Sequence, residues 1–164
     1  ALLATLSHAA RPVLFTGVNA DPGGAGQAAR IRNWAEGQTG VHLIPSLGPL
    51  YAPALAHAAA MAGNSSSGII EAPSFKLPVV NIGSRQGGRV RAANVIDVGY
   101  SRDEIRDGIR EAISKEFRDQ IWGLENPYFH GNAAQIILEK IKTTPLGDRL
   151  IKKYFYDVPG QWGM

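Results

Sequence analysis

Cysteine is absent from the 164-residue sequence, so disulfide bonds and thiolate chemistry within it are excluded. The lack of cysteine fits a reducing compartment, and we expect a cytoplasmic protein. Long apolar runs are also missing, since none approaches the roughly 20 residues that a membrane-spanning helix needs. Residues 1–10 are interrupted by polar side chains and have no preceding basic residue, unlike a signal peptide. We therefore expect no membrane partner.

The excess of positive over negative charge in the sequence is small. Seventeen Lys and Arg residues against 14 Asp and Glu residues leave a net charge of +3, which is too small and dispersed to favour nucleic-acid binding. The sequence contains no H-E-x-x-H, G-x-S-x-G or Walker pattern. Its histidines are not spaced as metal ligands, so we expect neither a metal nor a cofactor. These histidines are His8, His42, His57 and His130.

Acidic residues are absent from 72–96, a stretch that nevertheless contains one lysine and three arginines, Lys76, Arg85, Arg89 and Arg91. Immediately before it lies a small polar turn, Asn64–Gly68. A turn from a strand into a helix exposes backbone N–H groups and hydroxyls at the positive end of the helix dipole. The polar turn and the excess of positive charge after it both indicate a binding site for an anion such as phosphate. The alternative is an ordinary helix N-cap beside surface arginines.

Apolar runs alternate with helical periodicity along the chain. The predicted strands are 12–18, 41–45, 58–62, 78–82 and 94–98, and the predicted helices are 27–36, 49–57, 68–75, one from 101 past 117, and one from 132. Val and Ile without polar alternation suit a parallel sheet covered on both faces. The pattern predicts a doubly wound α/β domain of about five strands. Ser101 and Glu104 form a predicted capping box.

The C-terminal residues 144–164 form a separate segment. Thr144-Pro145 predicts the start of a final helix whose apolar side contains Leu150, Ile151, Tyr154 and Phe155. This helix either packs on its own domain or crosses to a preceding one.

Gly24–Ala29 formally fits the G-x-G-x-x-A dinucleotide fingerprint. The acidic residue expected about 20 positions later is absent, since 41–47 contains none. The sequence therefore does not predict NAD binding.

Two longer segments make the sequence resemble a known family. GNSSSGIIEAP at 63–73 and PVVNIGSRQGGRVR at 78–91 are similar to the hydrolysing UDP-N-acetylglucosamine 2-epimerases. Shorter similarities are the Asn19–Gly24 turn, Asn126-Pro127-Tyr128 and Gly131-Asn132-Ala133, so the resemblance runs from about residue 10 to about residue 141. Non-hydrolysing epimerases typically carry Asp-Ser-Gly-Gly where this chain has Asn64–Ser67, which favours the hydrolysing branch.

The resemblance implies a GT-B-type enzyme, with two Rossmann-like domains across a cleft. Only the C-terminal domain is matched, so we expect a part of a longer protein, with 1–143 as the UDP-binding domain and 144–164 as a C-terminal helix and tail. The implied partners are UDP, a UDP-GlcNAc-type nucleotide sugar, the protein's own N-terminal domain and further copies in a homo-oligomer. The catalytic acid/base carboxylates and histidine are expected on the N-terminal domain, so this chain alone should be inactive.

The resemblance also implies roles for single residues. Ser65, Ser66 and Arg85 match positions that bind the UDP diphosphate, although Arg85 could instead pair with an acid of the N-terminal domain. Glu71 matches the acceptor of the ribose 2′- and 3′-hydroxyls; its alternative role is to complement the helix dipole. Further UDP contacts match Asn19 and the backbone of Ile44, whose side chain is expected in the core. Arg89 and Arg91 are candidates for supporting residues.

The implied reaction is elimination of UDP from C1 with loss of the C2 proton, followed by addition of water. Its products are an N-acetylmannosamine-type sugar and UDP. Three alternatives remain open: a non-hydrolysing epimerase, a GT-B glycosyltransferase, and a non-catalytic UDP-sugar-binding module.

Overall fold

Five short parallel strands lie within the part of the chain that the computed structural model describes, namely residues 1–7, 11–18, 22–129 and 131–154. They are β1 (Val13–Thr16), β2 (Val41–Ile44), β3 (Met61–Gly63), β4 (Val79–Ile82) and β5 (Val95–Val98). β1 pairs with β2, while the other three form a second sheet in the order β3-β4-β5. The predicted parallel α/β architecture is confirmed, with the strands divided between two sheets.

Helices separate most of the strands along the chain. The first compact unit, Ala1–Phe129, contains α1 (Leu2–Leu6), α2 (Gly24–Ala35), α3 (Tyr51–His57), α4 (Ser67–Ile70), α5 (Arg102–Ala112) and α6 (Lys115–Gln120). It also has two 3-10 helices, Gly48–Leu50 and Ala72–Phe75. The second unit, His130–Met164, contains α7 (Ala133–Thr143) and α8 (Asp148–Ile151). In the described residues, no helix combines the length and apolar character needed to cross a membrane. The expected domain boundary at 143/144 stays a prediction.

The core surrounds β4, which is covered on both faces. Val79 and Val80 are both buried and point to opposite faces, because side chains alternate along a strand. A methyl group on Gly68 of α4 would lie 2.8 Å from Val79 Cγ1, and one on Gly108 of α5 would lie 3.2 Å from Val80 Cγ1. Glycine therefore allows both helices to approach the sheet closely. Because helices cover both faces of β4, its valines do not alternate with exposed polar residues.

The predicted capping box is confirmed. Ser101 Oγ accepts the Glu104 N–H at 3.2 Å, and Glu104 Oε2 accepts the Ser101 N–H at 3.2 Å. The single long helix predicted after it is wrong, because it divides into α5 and α6. Ser114 begins α6 by accepting the Phe117 N–H at 3.1 Å.

In the second unit, α7 begins after Asn132 as predicted, but the predicted start of the final helix at Thr144-Pro145 is wrong. Thr144 N–H donates to the Lys140 carbonyl at 3.0 Å, so this residue ends α7. The next helix starts only at Asp148 and ends at Ile151, and Tyr154 follows it. The predicted apolar contribution of Phe155 lies outside the described residues.

Candidate functional site

The polar turn after β3 is held by its own backbone. Ser65 carbonyl accepts the Gly68 N–H at 3.2 Å, and Ser66 carbonyl accepts the Ile70 N–H at 2.9 Å. Ser65 Oγ accepts the Ser67 N–H at 3.3 Å. In the described part of the chain, the N–H groups of Ser65 and Ser66 donate to no protein acceptor. The turn therefore has two backbone N–H groups without a protein acceptor and two serine hydroxyls, which are group types that bind anions.

The helix that follows is shorter than predicted. The 68–75 segment is not one helix: α4 ends at Ile70, and a 3-10 helix covers Ala72–Phe75. Proline has no N–H, so Pro73 donates no bond to a continuing α-helix. A four-residue helix has a small dipole, so this helix end attracts an anion less than the local donors and nearby cations do.

Arg85 is the cation that the fold brings to this turn. The loop after β4 places its Nη1 3.2 Å from the Asn64 carbonyl oxygen, directly before Ser65. Gln86 Nε2 donates to the same oxygen at 2.8 Å. Sequence reasoning predicted Arg85 but missed Gln86, whose side chain is buried.

A polar network supports this loop from the sheet. Arg91 Nη2 donates to the Gln86 carbonyl at 3.1 Å, and Arg91 Nε lies 3.0 Å from Asp97 Oδ2 in an ion pair. Asp97 Oδ1 accepts the buried Asn81 Nδ2 at 2.6 Å. Asn81 and Asp97 are register partners on β4 and β5, so two polar residues in otherwise apolar strands were the signal that sequence reasoning missed. Arg91 thus supports the loop, whereas Arg89 is exposed.

Glu71 lies at the junction of α4 and the 3-10 helix, so its predicted place in the first turn of a helix is wrong. Its carboxylate lies at the C-terminal end of α4 and at the N-terminal end of the 3-10 helix, so the two helix dipoles act on it in opposite directions. The Glu71 side chain is exposed and has no hydrogen-bond or ion-pair partner among the described residues. It borders a cleft of about 370 Å³ that is otherwise largely apolar and aromatic. Other residues that line this cleft include Tyr51, Leu55, Phe75, Asn126, Tyr128 and Phe129.

A second cleft, of about 330 Å³, lies where β1 and β2 end. Its lining includes Thr16, Gly17, Pro45 and Ser46. Ile44 directly precedes it, but its side chain is 39% exposed, so its expected place in the core is wrong. Among the described residues, β2 pairs with β1 alone, so the other edge of β2 has no neighbouring strand.

Tyr51 connects the two clefts, because it lines both of them. Its hydroxyl group forms a short hydrogen bond with Ser67 Oγ. The polar turn, the cleft at Glu71 and the cleft after β2 are therefore neighbours, and sequence reasoning missed Tyr51. Asn19 lies outside the described residues.

A family model described as UDP-N-acetylglucosamine 2-epimerase matches residues 1–142 of this chain. The chain belongs to the UDP-N-acetylglucosamine 2-epimerase family. Polysialic acid biosynthesis protein P7 of Escherichia coli is 35% identical over 146 residues, which are 89% of this chain and 37% of that protein. The hydrolysing UDP-N,N'-diacetylbacillosamine 2-epimerase of Legionella pneumophila is 44% identical over 105 residues, which are 64% of this chain and 27% of that protein.

The chain spans about a third of the length of these relatives. A structure of Staphylococcus aureus MnaA solved with UDP has a TM-score of 0.63 at 20% identity, covering 86% of this chain and 39% of that chain. This likeness supports the fold. It confirms the predicted Rossmann-like parallel α/β fold of the GT-B type.

The epimerase-family fold thus brings four of the six predicted site residues into one region. Ser65 and Ser66 form the turn, Arg85 is attached to it through the Asn64 carbonyl, and Glu71 lies beyond the short α4. Ile44 precedes the neighbouring cleft.

Proposed function

We propose that this chain is the UDP-binding part of a hydrolysing epimerase that acts on UDP-GlcNAc or a modified analogue. The observation that carries the proposal is the attachment of Arg85 to the carbonyl of Asn64, at the start of the Ser65-Ser66 turn. Donors from two strand ends converge there, at the edge where open α/β sheets bind ligands. The absence of cysteine fits the cytoplasmic location that forms part of the proposal.

The diphosphate is bound by Ser65, Ser66 and Arg85. Free N–H groups, hydroxyls and a guanidinium stabilise negative charge that grows on UDP as the C1–O bond breaks. Preorganisation matters because the donors need no rearrangement during the reaction. The Gln86 hydrogen bond to Asn64 provides part of that preorganisation.

The nucleoside occupies the clefts on either side of Tyr51. Glu71 accepts the ribose 2′- and 3′-hydroxyls, since an exposed carboxylate beside a phosphate site needs a neutral donor partner such as a diol. The backbone of Ile44 pairs with uracil at the end of β2, and Asn19 provides a further UDP contact.

In the proposed reaction, a base removes the C2 proton while UDP leaves C1. Water then adds to C1 of the resulting glycal-type intermediate, and a proton returns to C2 from the opposite face. The products are a 2-acetamido mannose-type sugar and UDP. The acid/base groups come from the protein's N-terminal domain, and the enzyme is a homo-oligomer.

The hydrolysing outcome is favoured by the Asn64–Ser67 sequence and by relatives whose names specify hydrolysing epimerases of diacetylated sugars. The full-length protein, given UDP-GlcNAc or its diacetylated analogue in heavy water, should release free sugar and UDP in equal amounts. Proton NMR should show deuterium at C2 of the sugar. Arg85→Ala should reduce turnover strongly, whereas Arg30→Ala, an exposed arginine on α2, should not.

A product that keeps UDP attached to the manno sugar would identify the non-hydrolysing alternative. No turnover of any 2-acetamido UDP-sugar by the folded full-length protein would contradict the epimerase proposal. UDP binding would then favour a glycosyltransferase or a binding module.

A further inference from the structure

The Asn126-Pro127-Tyr128 segment contacts the chain on both sides of Glu71. Asn126 Nδ2 donates to the Ile70 carbonyl at 2.9 Å and to Ser74 Oγ at 2.7 Å. Asn126 Oδ1 accepts the Tyr128 N–H at 2.9 Å. Both ends of this amide are therefore used, and its orientation is determined by its partners.

The break between α4 and the 3-10 helix explains why Ile70 needs this donor. In a continuous α-helix, the Ile70 carbonyl would accept the Ser74 N–H. Here the Ser74 N–H instead donates to the Glu71 carbonyl at 3.0 Å. Asn126 therefore replaces the missing helical donor at the peptide group directly before Glu71.

The same segment also reaches the loop that carries Arg85. Tyr128 Oη donates to the Val90 carbonyl at 3.0 Å. One short stretch of chain is thus attached to the turn bearing Glu71 and to the loop bearing the cation. Asn126, Tyr128 and Glu71 line the same cleft of about 370 Å³.

We propose that Asn126 is a positioning residue for Glu71: it holds the Ile70 carbonyl before Glu71 and the Ser74 hydroxyl after it, so that the carboxylate meets the ribose diol. This inference rests on the proposed function, because it assigns Glu71 to the ribose. A purely structural anchor would affect every ligand of the site equally. A positioning residue affects the recognition of the ribose hydroxyls in particular.

The test compares UDP with 2′-deoxy-UDP by isothermal titration calorimetry on the full-length protein. The wild type should prefer UDP by about tenfold, the value of one hydrogen bond to a charged group. Asn126→Ala should lose most of this preference for UDP over 2′-deoxy-UDP, and so should Glu71→Gln. Because both residues act on the same contact, the double variant should show little further loss of the preference. Asn33→Ala, at an exposed position on α2, should keep the preference.

Two failures are distinguishable. Equal binding of the two nucleotides by the wild type would contradict the proposed role of Glu71 and this inference with it. A wild-type preference that Asn126→Ala retains would overturn the positioning role alone. If circular dichroism shows that Asn126→Ala is unfolded, Ser74→Ala removes one of the two acceptors. That variant should lower the preference in the same direction, and an unchanged preference would overturn the inference.

Discussion

Gln86 donates a hydrogen bond of 2.8 Å from Nε2 to the backbone carbonyl of Asn64. This contact joins the loop after β4 to the turn after β3, two segments that are more than 20 residues apart in sequence. The buried Oε1 of the same side chain has no hydrogen-bond partner among the described residues. Gln86 therefore contributes one favourable contact and one desolvated acceptor.

Gln86→Met should separate the two effects. Loss of the donor costs about 1 kcal/mol, and removal of the unpaired acceptor offsets a similar amount. The free energy of unfolding should therefore change by less than about 1 kcal/mol, while the Kd for UDP rises about fivefold because the turn is less well held. Urea unfolding and calorimetry check both values. Gln38→Met, at an exposed position, is the control, and unchanged UDP affinity in Gln86→Met would contradict the prediction.

The capping box of α5 should be visible in the pH dependence of stability. Ser101→Ala should lower the free energy of unfolding by about 1 kcal/mol. Hydrogen bonds with the Ser101 side chain and then with its backbone N–H lower the pKa of Glu104 below its ordinary value. The contribution of a carboxylate with a lowered pKa is present above its unfolded-state pKa and is lost as the pH falls through its folded-state pKa.

The measurement is urea unfolding of the wild type and Glu104→Gln at pH 7 and at pH 3. The stability difference between them should shrink at pH 3. Ser46→Ala, whose exposed side chain has no hydrogen bond in the described structure, should behave like the wild type at both values. If the difference in unfolding free energy between the wild type and Glu104→Gln were the same at pH 7 and pH 3, the charge of Glu104 would not contribute to stability.

Gly68 and Gly26 should respond in opposite directions to alanine. A Cβ on Gly68 would lie 2.8 Å from Val79 Cγ1 in the core, whereas one on Gly26 in α2 would meet nothing within 4 Å. Gly68→Ala should destabilise by about 1–3 kcal/mol through overpacking. Gly26→Ala should stabilise by up to about 1 kcal/mol through helix propensity. Thermal unfolding checks both, and a neutral Gly68→Ala would mean that α4 moves away from the sheet at little cost.

Much of the fold was predictable because local physics agrees with the tertiary structure. Val79 and Val80 lie in an apolar run, and the structure buries them under helices on both faces. Ser101 and Glu104 carry their capping signal within four residues. The predicted helix boundaries were wrong where the end of a helix depends on residues that are distant in sequence. The Ile70–Glu71 break is one, because its replacement donor is Asn126, 56 residues away.

The candidate site shows the same division. Residue type and charge predicted an anion site at the Asn64–Gly68 turn, and the structure brings Arg85 to this turn; the binding of the diphosphate by Ser65, Ser66 and Arg85 stays a prediction. Gln86 and Asn126 were not recognisable, because an amide that binds a distant backbone carbonyl leaves no periodicity or spacing in the sequence. The exposure of Ile44 was also missed, since an apolar residue ending a strand usually predicts burial, and only the two-stranded pairing of β2 shows otherwise.

Glu71→Gln is the most direct test of the proposed ribose contact. The carboxylate has no protein partner in the described structure and lies between the C-terminal end of α4 and the N-terminal end of the 3-10 helix, whose small dipoles act on it in opposite directions. The free energy of unfolding should therefore change by no more than about 0.5 kcal/mol. UDP binding to the full-length protein should weaken by about 1.5–3 kcal/mol, the range for hydrogen bonds to a charged group, which corresponds to about 10- to 150-fold in Kd.

Glu36→Gln is the matched control for this change, because Glu36 is also an exposed glutamate at the C-terminal end of a helix, α2. It should leave both stability and UDP affinity unchanged. Titration with UDP and with uridine, which keeps the ribose but lacks the diphosphate, tests the assignment further. Glu71→Gln should weaken both ligands by the same factor, whereas Arg85→Ala should weaken UDP much more than uridine. Equal UDP affinity in Glu71→Gln and the wild type would remove Glu71 from the nucleotide site and leave the diphosphate contacts to be judged by Arg85→Ala alone.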